Sequence, residues 1–435
     1  MRTKEALAKI LCLFCICLLF IVKSENEINT AYDTGNKDKT TFAEAKAVRY
    51  LLYDVNPGEG FNLRRDVYMR VANLVKFLNE DEPWVLVLPP WGRLYHWQRD
   101  VEQIKIPWKT FFDLDSLRQH IPVIEFEDYL KVRGEPVIDE VYYLQGFKGG
   151  WTHWEEKLNI TECLDSRSGG FRQDDDGRWR HWFFGYEEVY AKKFACLSYM
   201  GHAGFIKPFL MHNTTGRSVY IPQAEEMLHD RYGHKGYWEA RRSMVFAKHL
   251  RDIGDEFRAK HLTSTDQEDN TVLEDWTKMR RKHGEAKGGP YIAIHLRRRD
   301  YLWARKDELP SLKGAAKHVK KLLKKYDLLK VYVATDAPKE EYEEFKSYFK
   351  KAEIYRYEPT EEVFNKYKDG GIAIIDQWIA AHARYFTGSH VSTFSFRIQE
   401  EREILGFDPE MTFNRMCGDK DQDCEQPTKW TIIYD

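Results

Sequence analysis

The strongest constraint on the fold lies between residues 49 and 90. Arg49-Tyr50-Leu51-Leu52-Tyr53-Asp54-Val55 is a mostly apolar run closed by the turn Asn56-Pro57-Gly58-Glu59-Gly60. Leu63, Val67, Val71, Leu74, Val75 and Leu78 then recur at helical spacing, and Trp84-Val85-Leu86-Val87-Leu88 is a second apolar run stopped by Pro89-Pro90. A short apolar run bounded by turn residues reads as a buried strand. Strand, helix and strand at this spacing predict a βαβ unit and hence a parallel sheet.

The same alternation returns in the second half. Tyr291-Ile292-Ala293-Ile294 reads as a strand, 311–327 as a basic helix, and Leu329-Lys330-Val331-Tyr332-Val333-Ala334 as a strand ending in Thr335-Asp336. Helices are predicted over 338–350 and 371–384, with a short strand at Tyr385-Phe386-Thr387. The loop Gly388-Ser389-His390-Val391-Ser392 then enters another helix. Between the halves, Arg241, Phe246, Leu250, Ile253, Phe257 and Leu262 predict one long helix over 241–262. Residues 150–235 read as irregular, and 263–288 as charged and exposed. A chain of 435 residues is too long for one ordinary core. The expectation is an α/β protein with two Rossmann-like domains, 48–250 and 251–435.

Compartment is read from the N-terminus. Arg2, Lys4 and Lys9 precede an apolar run over 10–22, followed by Lys23-Ser24-Glu25. The run falls short of the about 20 residues a membrane span needs, so a cleaved signal peptide over 1–24 is expected, with an uncleaved anchor as the alternative. A loose polar tail is expected over 25–47. Cys12, Cys15 and Cys17 lie in the leader, which leaves Cys163, Cys196, Cys417 and Cys424. An even number of cysteines in an oxidising compartment predicts two disulfides. Three pairings are open, and joining sequence neighbours is the simplest. A zinc site is disfavoured, because no Cys-x-x-Cys and no suitably spaced His accompanies them. Asn159-Ile160-Thr161 and Asn213-Thr214-Thr215 are acceptor sequons that suit a lumenal protein. A net charge of -2 gives no reason to expect a nucleic-acid partner.

Three constellations are candidates for chemistry. In Gly58-Glu59-Gly60-Phe61-Asn62, glycines allow close approach of backbone amides, and the helix that follows favours an anion at its N-terminus. Glu59 is then a carboxylate at the mouth of a sheet; its plain alternative is a surface acid. His295-Leu296-Arg297-Arg298-Arg299-Asp300 follows a strand, where open α/β sheets bind ligands, and an Arg there can grip a diphosphate. A solvated basic loop and a packed histidine are the plainer readings. Ser392-Thr393-Phe394-Ser395 enters a helix and is either a binding loop or an ordinary N-cap. Asp376 is a candidate for a guanine edge or a ribose, or else a helix-surface acid. No Walker A, His-Glu-x-x-His or Gly-x-Ser-x-Gly motif is present. Asp113-Leu114-Asp115 and Asp174-Asp175-Asp176 mimic a metal-binding Asp-x-Asp but read as turns.

The stretches 49–66, 84–97, 241–262, 289–300 and 369–403, with the string Leu86-Val87-Leu88-Pro89-Pro90-Trp91-Gly92-Arg93-Leu94-Tyr95-His96-Trp97, resemble the protein O-fucosyltransferases, in particular the branch that modifies thrombospondin type 1 repeats. That resemblance implies a GT-B fold, two Rossmann-like domains facing a cleft, with GDP-fucose held mainly by the second. It implies Glu59 as catalytic base, and the turn Gly58, Gly60, Phe61 and Asn62 against the diphosphate and fucose. His295 and Arg297 match its donor-binding His-x-Arg, Asp376 the guanosine-contacting acid, and Thr393 with Phe394 the helix-entry loop. No metal or other cofactor is implied. The expected enzyme is a monomer of the endoplasmic reticulum lumen or Golgi. It would transfer fucose with inversion to Ser or Thr in folded repeats carrying Cys-x-x-Ser/Thr-Cys. A transferase for EGF-like repeats and a non-catalytic lumenal binder are the rivals; Glu59 argues against the first, and Glu59 with Arg297 against the second.

Overall fold

The structure is a computed structural model that describes residues 47–92, 94–97, 101–150, 153–164, 168–420, 424–426 and 430–435. The expected signal peptide and, but for Ala47, the expected tail lie outside the described residues, as does Arg93 of the quoted string.

The first sheet is built on β1 (Arg49–Tyr53), β2 (Trp84–Leu88), β3 (Val123–Glu125), β4 (Val137–Gln145), β5 (Lys157–Thr161), β6 (Arg172–Gln173), β7 (Trp179–Arg180), β8 (Tyr190–His202), β9 (Ser218–Ile221) and β10 (Met227–Leu228). Its order is β3-β2-β1-β9-β4-β8-β7-β6, with β5 and β10 also on β8. The strands from β3 to β8 in that order pair in parallel, and β5, β6 and β7 form an antiparallel flank. β2 is buried along its whole length, as both faces of a parallel sheet must be when each is covered. Helix α1 (Phe61–Leu78) crosses between β1 and β2 and buries Val67, Val71, Leu74, Val75 and Leu78. The predicted βαβ unit is present, with Leu51 opposite Leu86.

The second sheet is fully parallel: β11 (Gly289–Leu296), β12 (Lys330–Thr335), β13 (Glu353–Tyr355), β14 (Ala383–Thr387) and β15 (Thr412–Phe413), ordered β13-β12-β11-β14-β15. Three helices join the sheets: α2 (Lys235–Ser243), α3 (Lys248–Phe257) and α5 (Glu361–Ala381); α4 (Leu312–Tyr326) covers the outer face of the second sheet, and α6 (Thr393–Leu405) follows β14. One apolar core runs from Leu51 and Val67 through Trp238 and Leu250 to Trp378 and Phe407, so it belongs to both sheets. Smaller cores lie on the far face of each sheet.

Two expectations are corrected. The segment 150–235 is not irregular; it contributes the 13-residue strand β8, whose neighbour β4 pairs with it from Val137 to Gln145. The stretch 241–262 is not one helix. The helix is interrupted between Ser243 and Lys248, where the Val245 carbonyl accepts from the Asp113 N–H at 2.9 Å and Phe246 bridges to Phe112. The helix then ends in a π-helical turn over Arg258–Leu262. Among the described residues no helix is long and apolar enough to cross a membrane.

Candidate active site

The carboxyl ends of both sheets face a shared cavity of about 560 Å³. Its first wall is the start of α1. Gly60 caps that helix with extended backbone and no side-chain hydrogen bond, so the first α1 amides after it have no side-chain cap and open onto the cavity. The requirement for glycine at 60 is one of space: a Cβ there would sit 2.9 Å from the His96 ring. Phe61 and Asn62 line the cavity, whereas Gly58 and Glu59 occupy the turn just before it, with Glu59 half-buried.

The opposite wall is the end of β11 and the start of α6. His295 is buried, with its ring stacked on Phe394 at 4.4 Å between centroids and Nδ1 2.8 Å from Ser395 Oγ. Burial, helped by Arg297, pulls its pKa down to about 3, so the ring is neutral. Arg297 forms a two-pronged pair with Asp300, Nε to Oδ1 at 3.0 Å and Nη2 to Oδ2 at 2.8 Å, and its guanidinium lies 4.7 Å over the Tyr301 ring. Burial opposes charge on Arg297, and Asp300 outweighs it, so the cation is firmly kept. The backbone of this strand end is pinned by Ser389, which donates to the His295 carbonyl and accepts from the Arg297 N–H, each at 2.9 Å. Thr393 and Phe394 open α6, whose N-cap Ser392 makes no side-chain capping bond. Two helix N-termini without side-chain caps, one from each half of the chain, therefore meet across one cavity beside a fixed guanidinium. That is the electrostatics of an anion site.

The floor comes from α5. Asp376 lines it and accepts from the Tyr332 hydroxyl, and burial pushes its carboxyl up to about 7. One residue on, Gln377 donates through Nε2 to Asn62 Oδ1 at 2.8 Å, and Arg65 Nη1 donates to both Asn62 Oδ1 (3.1 Å) and Gln377 Oε1 (2.7 Å).

The structure thus gathers Gly60, Phe61, Asn62, His295, Arg297, Asp376, Thr393 and Phe394 around one space, with Gly58 and Glu59 at its edge. Asp300, the end of the second candidate constellation, also lines it, whereas sequence reasoning did not single out His96, Trp97, Thr335, Asp336 and Asp369 as site residues. Thr335-Asp336 was marked as a strand end, and strand ends are the signal that finds such residues. His96 sits in a loop with no periodicity to expose it. Elsewhere, disulfides join Cys163 to Cys196 and Cys417 to Cys424, the pairing of sequence neighbours. Asn159 and Asn213 are both exposed. Asp113 accepts from the Asp115 and Ser116 amides as the N-cap of a short helix, and Asp174 organises a turn between β6 and β7. Among the described residues no group of three His, Cys, Asp or Glu side chains is placed to hold a metal.

Known proteins share both the sequence and this architecture. A sequence profile described as GDP-fucose protein O-fucosyltransferase matches residues 50–405. The protein named GDP-fucose protein O-fucosyltransferase 2 from Homo sapiens is 56% identical over 390 residues, covering 89% of this chain and 90% of that one. Its namesake from Caenorhabditis elegans is 47% identical over 425 residues, covering 96% and 98%. The crystal structure of POFUT1 in complex with GDP aligns with a TM-score of 0.53 at 15% identity, covering 86% of this chain and 98% of that one, and so shares the fold. The chain belongs to the GDP-fucose protein O-fucosyltransferase family, enzymes of the GT-B glycosyltransferase fold.

Proposed function

We propose that the cavity holds GDP-fucose between the two halves and that Glu59 takes the proton from a Ser or Thr hydroxyl as it attacks the sugar. In this reading residues 48–250 form the domain that carries the base and meets the acceptor, and 251–435 the domain that grips the donor. The single observation that carries it is the convergence of two helix N-termini without side-chain caps and the Arg297 cation on one cavity, with the Glu59 turn just before it.

The chemistry follows from charge. A hydroxyl is a poor nucleophile at neutral pH, so a carboxylate must accept its proton during attack. As the C1–O bond to the donor breaks, negative charge grows on the β-phosphate. Arg297 and the amides at the starts of α1 and α6 are already oriented to receive it. A single displacement on an oxocarbenium-like centre inverts the anomeric carbon, by analogy with one-step glycoside chemistry. GDP leaves as the diphosphate and needs no separate acid, and no step requires a metal.

The acceptor in this reading is a folded thrombospondin type 1 repeat bearing Cys-x-x-Ser/Thr-Cys, as the sequence resemblance suggests. A disulfide-held module delivers its hydroxyl in one orientation, where a loose peptide must lose entropy to do so. A second cavity of about 260 Å³, walled by Trp91, Trp182 and Phe184, opens on the other side of the Glu59 turn and gives an acceptor room to approach. The exposed sequons, the disulfides and the leader suit an enzyme of the endoplasmic reticulum lumen.

The test is transfer to one repeat by the parent enzyme and by Glu59→Gln. Transfer should fall on the order of 10²–10⁴-fold with GDP binding by calorimetry intact. Undiminished transfer would remove the base assignment. Equal rates on oxidised and reduced repeat would remove the requirement for a folded acceptor.

A further inference from the structure

Arg64 lines the second cavity and not the one that gathers His295 and Arg297, and its guanidinium bends back from the first turn of α1 over the loop that precedes its own helix. Nε donates to the Glu59 carbonyl at 3.2 Å. Nη2 donates to the carbonyls of Val55 and Asn56 at 2.9 and 3.0 Å, and Nη1 to Asp54 Oδ1 at 3.0 Å. The Glu59 N–H donates in turn to the Asn56 carbonyl at 2.9 Å. Both backbone polar groups of Glu59 are therefore fixed, one directly by Arg64 and the other by a carbonyl that Arg64 holds. On the outer side, Glu225 accepts the Asn56 N–H at 3.2 Å to each carboxylate oxygen. The Arg64 side chain is 14% exposed, so these charge-assisted bonds form largely out of water, where they are strongest.

An arginine that merely tied a loop to a helix would need one or two such bonds. Here one planar fork takes three carbonyls and a carboxylate, all within the six residues that end at Glu59. We propose that Arg64 is a positioning residue that fixes the height and direction of the Glu59 side chain at the cavity mouth, a role that rests on Glu59 being the base. A lysine cannot replace it, because one ammonium has no fork with which to span Val55, Asn56 and Glu59 together.

The experiment compares the parent, Arg64→Gln, Arg64→Lys, Glu59→Gln and the Glu59→Gln/Arg64→Gln double variant. Fucose transfer from GDP-fucose to an oxidised thrombospondin type 1 repeat is measured alongside GDP affinity. A misplacement of about 1 Å costs about 10²-fold in rate, so Arg64→Gln should lower kcat by that order while KM for GDP-fucose and GDP affinity hold. Arg64→Lys should lose about tenfold or more, and it carries the test if the glutamine variant does not fold. In the Glu59→Gln background the second substitution should cost less than about threefold, because a residue acting through Glu59 has nothing left to act on. Additive losses in the double variant, or near-normal kcat in both single Arg64 variants, overturn the proposal. Normal transfer by Glu59→Gln overturns the base assignment instead, and is read from a separate variant.

Discussion

Asp376 sits on the cleft floor with its carboxyl raised to about 7 by burial, against the opposing pull of the Tyr332 hydroxyl and of Arg356. Glu225 is likewise raised to about 7 by burial. Their ordinary values are 3.8 and 4.5. Between those values and 7 the folded chain holds protons that the unfolded chain has lost, so stability falls as pH rises through that window. Asp376→Asn should therefore be more stable than the parent at pH 7.5, by about 1–2 kcal/mol once contact with the wet cleft is discounted, and should show no gain below pH 4. It should also bind GDP more weakly. Thermal melts across pH check the first part and calorimetry the second; parallel pH profiles for parent and variant would refute it. Glu59, His295, Arg297 and Asp376 were legible in the sequence because each sits at a strand end, in a glycine turn or within a resembled motif. Arg65 was not. It reads as one more polar residue on an amphipathic helix, whereas in the structure it is fully buried between Asn62 and Gln377, with rings of Phe112 and Phe246 within 5.5 Å.

At the scale of elements, the kink in α5 is decisive. Lys368 has φ 58°, and the two glycines after it let the helix restart against the first half of the chain. A Cβ on Gly370 would lie 2.6 Å from the Phe111 ring and 2.8 Å from Trp97. Gly370→Ala should cost about 1–3 kcal/mol as an overpacked contact. It should also weaken GDP binding, because Ile372, Ala373 and Asp376 downstream line the cavity. A variant with parental melting temperature and affinity would refute this. The sequence showed the helix from 371 but neither its start at Glu361 nor the kink, since 361–369 is mostly polar and only Phe364 and Tyr367 there are buried. The break at 244–247 was hidden because Phe246 is as apolar as a helical position would be while it pairs with Phe112. β8 was obscured for a different reason: its lysines, aromatics and cysteine alternate poorly, because one end lies on the exposed flank while the other is buried.

Taken whole, the molecule is two sheets with a charged seam. Arg241 of α2 donates to Glu400 at 2.6 Å and to Glu401 at 2.8 Å, both on α6, and the Tyr237 hydroxyl also donates to Glu400. Arg397 pairs with Glu400 at 3.1 Å and with Asp66 of α1 at 3.4 Å, and Asp66 is held well below the usual carboxylate range by its cationic neighbours despite burial. Breaking a buried network of this kind costs about 3–5 kcal/mol, so Glu400→Ala should melt far below the parent. With the apolar core continuous across the seam, the parent should unfold in one calorimetric transition rather than two. Two resolved transitions would refute that. The alternation of strands and helices was legible in the sequence, but the seam was not, since nothing local marks an arginine on one helix as the partner of a glutamate 159 residues later.

If GDP-fucose lies as proposed, the two helix starts that meet across the cavity hold charge that belongs to the nucleotide, and fucose carries none of it away. In that arrangement, once the sugar has moved, the spent diphosphate would still lie between the same amides and the same guanidinium. Turnover should then be paced by escape of the leaving group rather than by bond making. A stopped assay should show a fast first round, equal to the enzyme present, before a slower steady rate, and added GDP should compete with the donor. The rate such an enzyme sustains then depends on how fast its nucleotide product is cleared from around it.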